Sequence, residues 1–122
     1  MKALRIYIDT SVVGGCLDPE FAPWSNGLVR DFVDGRYRAV VSEVVATELE
    51  LAPEGVKAKW DEILSISPEF LEITEEAAAL AAQYAKHANL PAKFYNDLIH
   101  IALATVADVD VLVSWNFKHI VR

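Results

Sequence analysis

Three carboxylates stand out by their positions. Asp9 directly follows the apolar run Ile6-Tyr7-Ile8, so a strand there delivers its side chain to the strand's carboxyl end. Asp, Thr and Ser are all good helix N-caps, so Asp9-Thr10-Ser11 reads equally as a cap and as the start of a chemical site. On a helical wheel over 43–52, Glu48 falls in the middle of the arc of Val44, Val45, Leu49, Leu51 and Ala52, while Glu43, Thr47 and Glu50 share the other side. An ionised carboxylate on a core-facing stripe is costly unless a cation or hydrogen-bond donors satisfy it, which favours a functional Glu48 over a structural ion pair. Asp97 belongs to a narrow polar seam, Lys93, Asn96, Asp97 and His100, on a helix otherwise covered by Phe94, Leu98, Ile99, Ile101, Ala102, Leu103 and Val106. Such a seam lines a cleft or forms the solvent edge, and spacing alone leaves both open.

Carboxylates from separated segments repel unless something positive gathers them. An all-oxygen donor set of Asp9, Glu48 and Asp97 favours Mg²⁺ or Mn²⁺ over zinc, and Mg²⁺ in particular binds through one or two carboxylates, waters and substrate phosphate oxygens. That chemistry suits phosphodiester hydrolysis. Other residues read more simply. His100, one turn from Asp97, is expected to be exposed or hydrogen-bonded before it is catalytic, and His87 and His119 read as surface. Trp24, Trp60 and Trp115 could stack on bases, with Trp60 more naturally core beside Leu64. Cys16 has no neighbouring base in the sequence and is not expected to be a nucleophile.

The elements that must position these groups alternate. Strands are predicted at Leu4 to Ile8, Arg38 to Ser42, Phe70 to Ile73 and Val109 to Val113, with helices at about 24–34, 43–52, 54–64, 75–88 and 93–106. Pro19, Pro23, Pro53, Pro68 and Pro91 fall at helix borders. Strand then helix, repeated, predicts an α/β fold with a parallel sheet covered by helices on both faces, the first and fourth strands lying inside it. In such a sheet ligands bind beyond the carboxyl ends of the strands, where Asp9-Thr10-Ser11 and Ser114-Trp115-Asn116 would meet.

Size and charge bound these readings. With 122 residues, 53% of them hydrophobic, the chain supports one core and a single domain spanning 1–122. Its formal net charge of −7 opposes electrostatic binding of nucleic acid by the whole surface. Local cation patches are the alternative, either Arg30, Arg36 and Arg38 or Lys86 with Lys93. The lone Cys16 allows no intrachain disulfide and fits a cytoplasmic location, and no apolar run has the length of a membrane span.

Four segments together resemble the PIN-domain family of metal-dependent nucleases, which includes the VapC-type toxins of toxin–antitoxin pairs. They are Ile6-Tyr7-Ile8-Asp9-Thr10-Ser11, Val41-Ser42 leading to Ala46-Thr47-Glu48-Leu49, Asn96-Asp97-Leu98-Ile99-His100-Ile101-Ala102-Leu103-Ala104, and Val111-Leu112-Val113-Ser114-Trp115-Asn116. The resemblance implies a three-layer α/β/α fold with a mainly parallel sheet of about four strands. It places the acidic centre on Asp9, Glu48 and Asp97 as ligands of Mg²⁺ or Mn²⁺. Asn116 stands at the family's fourth position, often Asp, and Ser114 where Thr is common. Asp108 and Asp110 are rejected as replacements because they lie at the wrong end of the fourth strand. Family members usually continue past the segment resembling Asn116-Phe117-Lys118-His119 into a further short strand, whereas this sequence stops at Arg122. The implied activity is endoribonucleolytic, with RNA as substrate, an antitoxin as partner and a homodimer as assembly. The competing reading is a PIN-like binding or scaffold module without catalysis, motivated by Asn116. A phosphatase with an aspartyl nucleophile is disfavoured, since the position two residues after Asp9 is Ser11 rather than a second Asp.

Overall fold

The computed structural model describes residues 2–91 and 94–116. Four parallel strands, β1 (Leu4–Ile8), β2 (Tyr37–Ser42), β3 (Glu69–Leu71) and β4 (Val111–Val113), form one sheet in the order β3-β2-β1-β4. Between them run α1 (Thr10–Gly15) and α2 (Ala22–Val33), then α3 (Glu43–Glu48) and α4 (Glu54–Leu64), then α5 (Glu75–Ala88) and α6 (Tyr95–Val106). The strand period of two sorts side chains to opposite faces. Ile6 and Ile8 of β1, with Ala39 and Val41 of β2, pack against Val12 and Val13, Val29 and Phe32, and Trp60 and Ile63 from α1, α2 and α4. Tyr7 and Val40 face the other way, onto Ala77 and Ala81 of α5 and Leu98, Ile99, Ala102 and Leu103 of α6. The result is the three-layer α/β/α sandwich expected from the sequence.

The register explains where the ends fall. Ile6, Tyr7 and Ile8 pair with Val111, Leu112 and Val113 on one side, and Leu4 through Tyr7 pair with Tyr37 through Val40 on the other. The chain leaves β1 toward β2 and returns from β3 to the opposite side of β1, so the winding direction reverses between β1 and β4. At such a switch point the two connections diverge and leave a crevice at the carboxyl ends.

Several expected boundaries shift for identifiable reasons. The helices at 54–64 and 75–88 stand as read. The one expected at 24–34 begins at Ala22, because Pro23 is tolerated in a first helical turn, where its missing N–H is not needed. The helix expected over 43–52 stops at Glu48. Leu49 caps it, a turn follows, and Leu51, placed on the apolar arc by the wheel, is 97% exposed. The third strand is Glu69–Leu71 rather than Phe70 to Ile73. The fourth starts at Val111 because Asp108, at φ 55°, closes a left-handed turn after α6. Among the described residues β4 is an edge strand, and β2 takes the inner place expected of it; its burial is correspondingly more complete. The helix α1 was not expected, as Gly14 and Gly15 dilute a run whose only apolar pair is Val12-Val13. Lys93 and the segment from Phe117 to Arg122, including His119, lie outside the described residues.

Candidate functional site at the carboxyl rim

Asp9 ends β1 and begins α1. Its Oδ1 accepts from the Ser11 backbone N–H at 3.1 Å, the Ser11 hydroxyl at 2.6 Å and the Val12 N–H at 3.3 Å. The capping interpretation is therefore correct as far as it goes, yet all three contacts use one oxygen of a side chain that is 3% exposed. Ser11 also ties Asp9 to the far side of the crevice, because its hydroxyl accepts the Trp115 backbone N–H at 2.9 Å. Beyond it the Asn116 N–H donates to the Ser114 hydroxyl at 3.0 Å. Trp115 is itself seated by stacking on Phe21, with ring centroids 5.1 Å apart, and by its indole N–H on the Ser25 hydroxyl at 2.9 Å. Gly15 makes this possible, since a Cβ there would meet the Ser25 oxygen at 2.5 Å and the indole nitrogen at 2.7 Å.

Glu48 is the last residue of α3, and its side chain keeps about 30% of its surface open to solvent. It is thus at the rim and not in the core, a correction to the wheel that follows from the early end of its helix. One carboxylate oxygen, Oε1, accepts the Thr10 hydroxyl at 2.8 Å and is 2.8 Å from His100 Nε2. Partial burial alone would raise the carboxyl pKa. The hydrogen bonds from His100 and Thr10, with smaller help from the His100 charge and the Asn96 amide, outweigh it and hold Glu48 below its ordinary range.

His100 is 4% exposed, so the polar seam of α6 runs from the rim into the interior. Its Nδ1 lies 2.6 Å from the hydroxyl of Tyr7, and that hydroxyl lies 2.8 Å from Ser42 Oγ, with Tyr7 and Ser42 both fully buried. Burial pushes the Tyr7 phenol far up despite the Ser42 bond, and the negative charges of Asp9 and Glu48 push the same way. Sequence reasoning did not single out Tyr7 or Ser42 as a pair. A Tyr flanked by isoleucines in a buried strand is the available signal, because its hydroxyl must find a partner.

The structure brings Asp9 and Glu48 onto one rim, bridged through Thr10, and sets Asn116 beside Ser11 on the β4 side. Asp97 lies half-buried in the first turn of α6, next to the Asn96 that reaches Glu48. Two cavities open here. One, of about 210 Å³, is lined by Glu48, Asn96, Tyr95 and Ile73, and another, of about 470 Å³, by Ser11, Phe21, Trp115 and Asn116. A cavity of about 630 Å³ bordered by Leu17, Arg30 and Lys59 contains none of the rim residues. Cys16 is buried, and that burial pushes its thiol pKa up, which disfavours the thiolate. Arg36 and Arg38 sit at the opposite end of the sheet, beside Asp31 and Glu69, so the patch expected there does not face the rim.

The PIN domain profile matches residues 6–116. This chain belongs to the PIN-domain family. The family is one of nucleases that typically use divalent metals. No curated protein sequence matches the chain. Among solved structures, a chain in the crystal structure of VapBC2 from Rickettsia felis bound to a DNA fragment from their promoter is similar, with a TM-score of 0.68 and 16% identity over 96% of this chain and 91% of that one. At that identity the likeness concerns the fold, and it agrees with the α/β/α architecture. No helix of the described residues is long and apolar enough to cross a membrane.

The donor set fits a hard divalent ion in chemistry, being carboxylate and amide oxygens with Glu48 held ionised. In geometry it is open. Among the described residues no three of His, Cys, Asp and Glu converge closely enough to hold a metal ion. Asp9 and Glu48 supply the one or two carboxylates that Mg²⁺ commonly takes from protein, the remainder coming from waters and substrate phosphate.

Proposed function

We propose that this PIN-domain chain is a Mg²⁺- or Mn²⁺-dependent endoribonuclease, the toxin of a toxin–antitoxin pair, acting at the rim formed by Asp9, Glu48 and Asp97 with Asn116 beside them. The observation that carries this reading is that Asp9, at the end of β1, and Glu48, at the end of α3, share the carboxyl rim and are joined through Thr10, with no Lys or Arg of the described residues paired to either. A bound cation supplies positive charge against the scissile phosphate and makes the attacking water more acidic. Asp9 and Glu48 would hold it, with Asp97 in the first turn of α6 as the third acidic group proposed for the site. The chain's own contribution is placement. The Ser11 and Val12 N–H groups fix Asp9, Thr10 and His100 fix Glu48, and the Asn116 amide is available to orient water or donate to a phosphate oxygen. Aromatic surface at Tyr95 and Trp115, in the cavities on either side, suits stacking by the flanking bases.

The VapBC2 likeness supports an antitoxin partner. A homodimer and a cytoplasmic site of action complete the proposal, on family resemblance and on the lone Cys16 respectively. The second reading, a PIN-like scaffold without catalysis, draws support from the open acidic set, in which no three candidate ligands converge. Calorimetric titration with Mn²⁺, paired with an RNA cleavage assay, separates the two. The nuclease reading expects saturable Mn²⁺ binding and cleavage that EDTA abolishes and added Mn²⁺ restores. Cleavage undiminished in EDTA overturns the metal-dependent assignment, and absence of both binding and cleavage favours the scaffold.

A further inference from the structure

Three buried side chains line up behind Glu48 at the rim. From the end of β2, the middle of β1 and the second turn of α6, Ser42 Oγ, the Tyr7 hydroxyl, the two ring nitrogens of His100 and Glu48 Oε1 follow one another at 2.8, 2.6 and 2.8 Å. Chemistry gives this row a direction. An ionised carboxylate only accepts, so His100 Nε2 carries the proton donated to Glu48. The other ring nitrogen, Nδ1, is held by the Tyr7 hydroxyl, and that hydroxyl in turn meets Ser42 Oγ. The row therefore runs without a break from the buried end of β2 to the carboxylate.

We propose that Ser42, Tyr7 and His100 form a buried hydrogen-bonded relay that sets the orientation of the Glu48 carboxylate for an incoming divalent cation, with His100 as a positioning residue. The proposal rests on the metal-dependent reading above. It goes beyond that reading in assigning roles to three residues that lie behind the acidic rim. The physical need for it is specific. Glu48 closes a six-residue helix and is followed by a turn, so its backbone alone holds the side chain loosely. His100 and Thr10 both grip Oε1, which restrains the carboxylate, and neither of them takes Oε2. His100 cannot itself swing away, because its other nitrogen is held by a Tyr7 that has no exposed surface. Partners one step behind a ligating carboxylate typically govern metal affinity in this way.

The test compares Mn²⁺ affinity by calorimetric titration in the full chain with the variants His100→Ala, His100→Gln and Tyr7→Phe, with circular dichroism as the fold control. Gln can present an N–H to Glu48 from nearly the place of Nε2. His100→Ala is expected to weaken Mn²⁺ binding by about tenfold to a hundredfold, and His100→Gln to recover most of the loss. Tyr7→Phe, which removes one oxygen and keeps the core volume, is expected to weaken binding several-fold, so the relay stays testable if the alanine variant does not fold. NMR of the His100 ring nitrogens in the metal-free chain is expected to show protonation at Nε2, with the Nδ1 resonance moved by Tyr7→Phe. Mn²⁺ affinity unchanged in folded His100→Ala and Tyr7→Phe overturns the positioning role while the cation reading stands. An unaltered chain that binds no Mn²⁺ overturns the cation reading and this role with it.

Discussion

At the amino end of β1, Arg5 meets Glu69 of β3 through two hydrogen bonds, Nε to Oε2 at 2.9 Å and Nη2 to Oε1 at 2.6 Å. Its Nη1 reaches the carbonyls of Ala107 and Asp108, both at 3.1 Å, and its backbone N–H donates to Asp110 at 2.8 Å. At the carboxyl end of the same strand, four residues away, Asp9 and Glu48 are met by hydroxyls, backbone N–H groups and an imidazole. Among the described residues no Lys or Arg pairs with either. One end cancels carboxylate charge with an arginine, and the other meets it with hydroxyls, backbone N–H groups and a histidine. The amino end therefore reads as structure, and the carboxyl end is where the proposed function puts a cation.

The comparison breaks most sharply with Asp9→Asn. Asn is as good an N-cap as Asp, so the start of α1 survives and only the charge is lost. RNA cleavage is expected to fall by at least about a hundredfold, in line with the loss of a single group that stabilises charge at a reaction centre. The urea unfolding midpoint should stay close to that of the unaltered chain. Cleavage retained in the folded variant would remove the functional half of the comparison. Gly15→Ala tests the same end through packing. Its added methyl collides with the Ser25 hydroxyl and the Trp115 indole, and an overpacked contact of this kind costs about 1–3 kcal/mol, measurable by urea unfolding. A neutral outcome would mean that Trp115 is free to leave its seat on Phe21.

How much of this was legible in the sequence differs between the two ends. The sandwich followed from alternation, since Ile6-Tyr7-Ile8 and Ala39-Val40-Val41 can bury both faces only inside a covered parallel sheet. Asp9 was legible because a strand's end fixes where its next residue goes. For Glu48 the wheel and the structure differ, the one putting it on a core-facing arc and the other at the rim. The wheel assumed ten helical residues, and the helix has six, so the side chain reaches the rim because the helix stops there. Nothing in sequence spacing relates His100 to Tyr7, 93 residues away, so its place behind Glu48 is not legible there. The amino-end clamp was equally invisible, as Arg5 and Glu69 become neighbours only through the β3-β2-β1 order. Contacts between elements distant in sequence depend on register, and single-sequence patterning carries none.

The amino end should respond less, and differently. The Arg5 and Glu69 side chains keep about 30% and 31% of their surface exposed, so solvent screens the pair despite its two-pronged geometry. A double-mutant cycle with Arg5→Met and Glu69→Gln is expected to give a coupling of about 0.5–1 kcal/mol in urea unfolding, with Mn²⁺ affinity unchanged. Its pH dependence has a definite sign. The hydrogen bond from Arg5 holds the Glu69 pKa below its ordinary range in the folded chain, against a smaller effect of burial, so the native state binds fewer protons than the unfolded state across that interval. The contribution is therefore present above the unfolded Glu value of about 4.3 and is lost as pH falls through the lower native value. The stability gap between the unaltered chain and Glu69→Gln should accordingly be flat from neutral pH down to about 5 and close below it. Saturating Mn²⁺ sharpens the contrast, because an ion held at the rim stabilises both proteins equally and leaves the Glu69 gap where it was. A gap that shrinks on adding Mn²⁺ would place the ion, or an effect coupled to it, at the amino end, and the division between the two ends of β1 would be wrong.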